Sequence, residues 1–177
     1  MSTIICLGDS LTWGYPYGPE VSWVNLIPEL YNLEAINRGI NGNTTGEMLE
    51  RFDRHVLQKK PKYVIITGGA NDVFWRESVD AIIYNYQQML QQAEQSGIKV
   101  IIGLTPPVDD PEMEARLKMV RTRLLELAQI KELQVIDFTP PFYEADGSVN
   151  GKLFLDGAHP SRQGYLLMGK CLPTKIA

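Results

Sequence analysis

With 177 residues, of which 44% are hydrophobic and 21% charged, the chain has enough apolar material for one domain with a full core and no more. Its formal net charge of -4 comes from 21 acidic and 17 basic residues without a separate Lys/Arg cluster, which disfavours nucleic-acid binding as the basis of function. No apolar run reaches the ~18 residues of a membrane span, and Met1-Ser2-Thr3-Ile4 leads straight into a strand-like run without the pattern of a signal peptide, so a cytoplasmic location is expected. Cys6 and Cys171, near opposite ends of the chain, read as small buried hydrophobes with free thiols and not as a disulfide framework.

The first strand is predicted over residues 4–7 and ends at Gly8. Trp23, Leu26, Ile27 and Leu30 follow at helical spacing, then a second strand over 34–36 that runs out at Gly39. Residues 50–55 form a charged helical stretch, in which His55 reads as a solvated side chain. A third strand over 63–67 stops at Gly68-Gly69, and Ile82, Ile83, Tyr86, Met89, Leu90 and Ala93 mark a long helix after it. The fourth strand, 100–104, ends in Thr105-Pro106-Pro107, and the fifth, 135–138, in Thr139-Pro140-Pro141. Ser161 is placed to cap a last helix carrying Tyr165, Leu166 and Met168.

Strands alternating with helices imply right-handed βαβ units, hence a parallel sheet with helices on both faces. Nearly continuous apolar runs such as Val64-Ile65-Ile66 and Val100-Ile101-Ile102 fit strands buried on both sides. The expected fold is a three-layer α/β/α sandwich around a five-stranded parallel sheet, flavodoxin-like in shape, with residues 1–177 as a single domain. Ligands bind such sheets at the carboxyl ends of the strands, so the loops after each strand should share one crevice.

Three of those loops carry residues able to work together. Ser10 follows the first strand, Asn71 the third, and Asp156 and His159 lie beyond the fifth. A serine nucleophile needs a base, a group to orient the base, and donors for an oxyanion. His159, held between Gly157 and Pro160, is the better placed of the two histidines, with Asp156 three residues away to fix its tautomer. Taken singly these residues have other readings: Ser10 as a helix cap or turn residue, Asn71 as a turn residue after two glycines, Asp156 and His159 as loop caps.

Together, Gly8-Asp9-Ser10-Leu11, Gly42 within the loop after the second strand, Gly69-Ala70-Asn71-Asp72 and the Asp156 to His159 segment resemble, in order, the four blocks of the SGNH hydrolases, or GDSL esterases and lipases. The resemblance implies ester hydrolysis through an acyl-enzyme on Ser10, with His159 as base and Asp156 orienting it. It also implies an oxyanion hole formed by the Ser10 and Gly42 N–H groups and the Asn71 amide, without metal or cofactor. Many members have Ser where this chain has Asn41, and the chain shows no segment long enough for an obvious lid, so a broad, open cleft is expected.

Asp9 and Asp72 are expected to organise turns and not to act chemically. Trp13 and Trp75 are the candidates for the substrate pocket among aromatics that also include Tyr15, Tyr17, Phe74, Phe142 and Tyr143, with Val108, Asp109 and Asp110 at its rim. The expected partner is a small-molecule ester. The family covers short-chain and aryl esters, lysophospholipids, acyl thioesters and acetylated sugars, and nothing in the residues selects among them or sets an oligomeric state. A phosphoacceptor or flavin module is disfavoured by the lack of an acidic pair after the first strand, of a lysine after the fifth and of a phosphate-cradling loop. A metal-dependent hydrolase is disfavoured by the scarcity of histidines, and a silent scaffold by the completeness of the site.

Overall fold

The computed structural model describes residues 2–176. Its five strands are β1 (Thr3–Gly8), β2 (Glu34–Gly39), β3 (Tyr63–Thr67), β4 (Lys99–Leu104) and β5 (Gln134–Asp137), all parallel, in the order β2-β1-β3-β4-β5. The chain begins inside the sheet, moves to one edge, then crosses back over β1 to β3. The order therefore reverses between β1 and β3, the place where an open α/β sheet leaves a crevice at its carboxyl edge.

The helices are α1 (Ser10–Trp13), α2 (Ile27–Tyr31), α3 (Thr45–Glu50), α4 (Phe52–His55), α5 (Ala70–Phe74), α6 (Val79–Gln95), α7 (Pro111–Ile130) and α8 (Arg162–Lys170). Because strand side chains alternate between faces, Ile5, Leu7, Val64, Ile66, Val100 and Ile102 pack beneath α3, α4, α6 and α7. Ile4, Cys6, Tyr63, Ile65 and Ile101 pack instead against Trp23, Ile27, Tyr165 and Met168 on the other side. Each fully buried aliphatic or aromatic side chain contributes about 1.5–3 kcal/mol. This two-sided core is the expected α/β/α sandwich.

Helix α6 shows how the core serves the crevice. Ser78 caps it by accepting from Ala81 N, and Ile82, Ile83, Tyr86, Met89, Leu90 and Ala93 form its buried stripe. Tyr86 is fully buried, and its hydroxyl accepts from Gly68 N at 2.9 Å and donates to Gly68 O at 3.2 Å, holding the turn that leaves β3. Ser161 caps α8 as expected, accepting from Gly164 N.

Two elements differ from their sequence pattern. The 23–30 stretch is a 3-10 turn over Trp23–Leu26 followed by α2, with Ile27 N donating to Val24 O. Pro28 has no N–H to give to Val24 O, so an α-helical ladder cannot run through this point. Strand β2 continues three polar-to-glycine residues past Ile36, because its backbone ladder is set by the register Cys6–Asn37, Leu7–Arg38 and Gly8–Gly39 with β1, whatever the side chains. Among the described residues, no helix is long and apolar enough to cross a membrane.

Candidate active site

Strand β1 ends at Gly8, where a side chain would be crushed: a Cβ would fall 2.1 Å from Thr12 Oγ1 and 2.8 Å from Thr67 O. That close approach lets α1 start immediately. The buried Asp9 side chain caps it, accepting from Leu11 N at 2.9 Å, and Ser10 is the first helical residue. Ser10 is therefore held at the carboxyl end of β1, with its own carbonyl accepting from Tyr165 Oη at 3.3 Å.

The partner of Ser10 comes from the far end of the chain. An antiparallel bridge between Phe154 and Pro160 pinches off the intervening loop, and Leu155 N donates to His159 O across it at 2.9 Å. Inside the loop Asp156 Oδ1 accepts from Ala158 N at 3.1 Å and His159 N at 2.8 Å, which turns Oδ2 towards the ring, 2.7 Å from His159 Nδ1. With the Nδ1 proton donated to Asp156, Nε2 is left as an acceptor, and Ser10 Oγ lies 3.1 Å from it. Burial alone would raise the Asp156 carboxyl, but the N–H donors of His159 and Ala158 and the ring itself outweigh it and hold Asp156 below the usual carboxylate range. The Tyr15 ring packs at 4.6 Å, tilted, on the imidazole.

The third segment carries Asn71, on α5 directly after β3. Its amide nitrogen donates to Asn43 O at 3.0 Å, and lies 3.4 Å from Asp9 Oδ2, so the second N–H is held only by a long contact. Gly42 sits next to Asn43 with φ +79°, a left-handed conformation that disfavours side chains although the space beside its Cα is open. Among the described residues, neither the Ser10 nor the Gly42 N–H meets an intramolecular acceptor. The 40–43 loop is anchored at both ends, by Ile40 N to Gly8 O at 3.0 Å and by the Asn71 bond to Asn43 O.

Asp9 and Asp72 do organise turns. Asp72 receives Thr45 N at 3.0 and 2.9 Å and Thr45 Oγ1 at 2.5 Å, tying α5 to the start of α3. Asp9 is fully buried, and burial pushes its carboxyl up to about 7, helped by the nearby Asp72 and opposed by Leu11 N and His159. Between the ordinary value of 3.8 and about 7, the folded protein keeps a proton that the unfolded chain has released. Asp9 therefore costs stability progressively as pH rises through that window, with the full cost above it. Unfolding of Asp9→Asn and the parent followed by denaturant titration should show the variant gaining relative stability between pH 5 and pH 8. A pH-independent difference would place the Asp9 titration elsewhere.

Asp9, Ser10, Asn71, Asp156 and His159 line a cleft of about 380 Å³ with an apolar wall that includes Phe74, Val108 and Met113; Gly42 is not among the residues that line it. Neither Trp13 nor Trp75 lines it: Trp13 belongs to the turn under Gly39, whose Cβ would meet Trp13 N at 2.2 Å, and Trp75 stands out in solvent, 66% exposed, edge-on to Phe74 at 5.2 Å. One residue along the short α5 turns the side chain by about 100°, so Phe74 takes the place expected of Trp75. Phe142 is in the core against Phe154, and Tyr143 donates to Glu114.

His55 is not simply solvated. It is partly buried, and its Nδ1 lies 3.1 Å from Arg51 Nη1. The reading of residues 50–55 as a charged helical stretch hides both this contact and the contacts that Arg51 makes with β1, β2 and the 40–43 loop, since a guanidinium reaching inward has no signature in spacing alone. The two cysteines are unpaired, Cys6 buried and Cys171 partly so.

A family model described as the GDSL-like Lipase/Acylhydrolase family matches residues 6–167, which takes in every segment of the cleft. The chain belongs to this family. It is 27% identical over 165 residues to Esterase TesA of Pseudomonas aeruginosa, covering 90% of this chain and 80% of that one. It is 34% identical over 104 residues to an arylesterase of Vibrio mimicus, covering 56% of this chain and about half, 52%, of that protein. Among solved structures, a G-D-S-L family protein of Desulfitobacterium hafniense DCB-2 superposes with a TM-score of 0.87 at 29% identity, over 97% of both chains. The GDSL chain is accordingly a carboxylic ester hydrolase, with the α/β fold of that family and small-molecule esters as the class of compound it acts on.

Proposed function

We propose that Ser10 is the nucleophile, His159 the general base, Asp156 the residue that orients it, and the Ser10 N–H, Gly42 N–H and Asn71 amide the oxyanion donors. The observation that carries this reading is the unbroken chain from Asp156 Oδ2 through His159 (2.7 Å) to Ser10 Oγ (3.1 Å), opening on the cleft. Ser10 Oγ attacks the ester carbonyl as its proton passes to His159 Nε2, and the same proton then goes to the departing alkoxide. The acyl-enzyme is released when His159 takes a proton from water attacking the Ser10 ester and returns it to Ser10 Oγ as the acyl–Oγ bond breaks and the carboxylic acid leaves. Charge developing on the carbonyl oxygen would meet two N–H groups that have no acceptor among the described residues, and an Asn71 N–H held only at 3.4 Å, which an oxyanion readily takes over.

Removal of one oxyanion donor typically lowers turnover by about 10²–10³-fold. Asn71→Ala is expected to show a loss of that size in kcat with KM little changed. Near-parental kcat in the folded variant would take Asn71 out of the site.

The substrate reading is short-chain and aryl esters. The cleft, about 380 Å³, is at the small end of ligand pockets, and its wall at Phe74, Val108 and Met113 is apolar. The likeness to an arylesterase supports the same reading. Hydrolysis of p-nitrophenyl esters from acetate to palmitate should peak at the short end of the series. A maximum at long chains, or turnover confined to thioesters or acetylated sugars, would replace this choice of substrate. We place the chain in the cytoplasm, with its two unpaired thiols as the supporting feature.

A further inference from the structure

Arg51 stands between α3 and α4, outside the cleft lining, yet its guanidinium is bonded to three separate segments around the site. Nε donates to Asn43 Oδ1 at 2.6 Å, Nη1 to Arg38 O at 3.0 Å and Nη2 to Gly8 O at 2.8 Å. Side chains at the end of a helix lean back towards its N-terminus, which brings the planar fork of Arg51 under the loop that precedes α3. The three acceptors are the last residue of β1, the next-to-last residue of β2 and the residue next to Gly42. Burial pulls the Arg51 guanidinium down to about 10, opposed by Asp9 and Glu47, so it stays charged at neutral pH and its bonds are of the stronger, charge-assisted kind.

We infer that Arg51 is a positioning residue for the oxyanion hole, fixing the 40–43 loop so that Gly42 N–H and Asn71 Nδ2 are aimed together. The connection to Asn71 runs through Asn43, whose side chain accepts from Arg51 Nε and whose backbone carbonyl accepts from Asn71 Nδ2. Two of the three donors of the proposed oxyanion hole therefore hang on one brace. The third segment held is Gly8, two residues before Ser10. A lysine carries all its donors on one nitrogen, whereas these three bonds leave from three different nitrogens of the guanidinium. This inference rests on the oxyanion reading given above.

A residue that acts only on the transition state changes kcat and leaves KM, whereas one that merely stabilises the fold changes the melting temperature and the fraction of active protein. A misplacement on the order of 1 Å at a reacting centre costs up to about 10²-fold in rate. The test measures kcat, KM, melting temperature and the inhibition constant of phenylboronic acid, whose tetrahedral adduct on Ser10 mimics the transition state. The variants are Arg51→Lys, Asn43→Ala, Asn43→Asp and Asn71→Ala.

Arg51→Lys and Asn43→Ala are expected to lower kcat about 10- to 100-fold with KM within twofold, and to weaken the boronate in proportion. Asn43→Asp, which restores an acceptor for Arg51 Nε, recovers most of what Asn43→Ala loses. Should Arg51→Lys fail to fold, Asn43→Ala, which removes one bond of the three, carries the test. Unchanged kcat and boronate affinity in folded Arg51→Lys or Asn43→Ala, with Asn71→Ala impaired, overturns the role of Arg51 alone. Unchanged values in Asn71→Ala overturn the oxyanion reading, and the brace with it.

Discussion

Ser10→Ala is expected to lower kcat for ester hydrolysis by about 10⁵–10⁶-fold while leaving the melting temperature close to the parent's. The size follows from the mechanism: without Oγ there is no acyl-enzyme, and what remains is water attacking in the presence of the oxyanion donors. The small structural effect follows from the packing. The fold uses the backbone of Ser10, which starts α1 and accepts from Tyr165 Oη, while the side chain is bonded to His159. Burst kinetics with a p-nitrophenyl ester, and mass spectrometry of the protein after a fluorophosphonate, read the same event directly: a burst and one covalent adduct in the parent, neither in the variant. Turnover within tenfold of the parent, or an adduct formed equally by the variant, would remove Ser10 from the mechanism.

The second large effect is expected from Asp156→Asn, at about 10³–10⁴-fold in kcat. An asparagine of the same shape keeps its carbonyl oxygen for Ala158 N and His159 N, so the loop survives. Its NH₂ group then faces His159 Nδ1, where Asp156 now accepts at 2.7 Å. Two donors cannot share that bond, and the ring is driven to the tautomer with the proton on Nε2, facing Ser10 Oγ and unable to take its proton. The pair is open to water, with side-chain exposures of 28% for His159 and 52% for Asp156, which lets solvent rescue part of the loss. Combined with Ser10→Ala the change should add almost nothing, because groups that act as one unit are lost together. Full additivity of the two losses would show that they work independently.

The pattern of residues carried most of the architecture and the identity of the chemistry. Strand runs with apolar residues on both faces can only be buried between two helical layers, so Val64-Ile65-Ile66 and Val100-Ile101-Ile102 already imply the sandwich. Ser10, Asn71, Asp156 and His159 were legible because each sits at the carboxyl end of a strand or beyond it, where topology gathers ligand-binding loops. Topology brings Ser10 and His159, 149 positions apart, to the same edge of the sheet, where their side chains meet at 3.1 Å.

What only the tertiary structure decided depends on direction, which periodicity does not encode over a turn or two. The side chain that walls the cleft is Phe74 and not Trp75, a choice made by one residue of rotation on a helix of five. The loop after β4 carries Val108, expected at the rim, into the cleft lining itself, and the start of α7 adds Met113, which the sequence pattern does not mark. Arg51 looked like one charge in a solvated stretch, and became a brace because α3 is short and aims it back at β1, β2 and Asn43. The sequence by itself determined which groups are available for the reaction, since covalent chemistry belongs to residue types. Their alignment was settled by hydrogen bonds between segments far apart in the chain, whose geometry exists only once both sides of the sheet are packed.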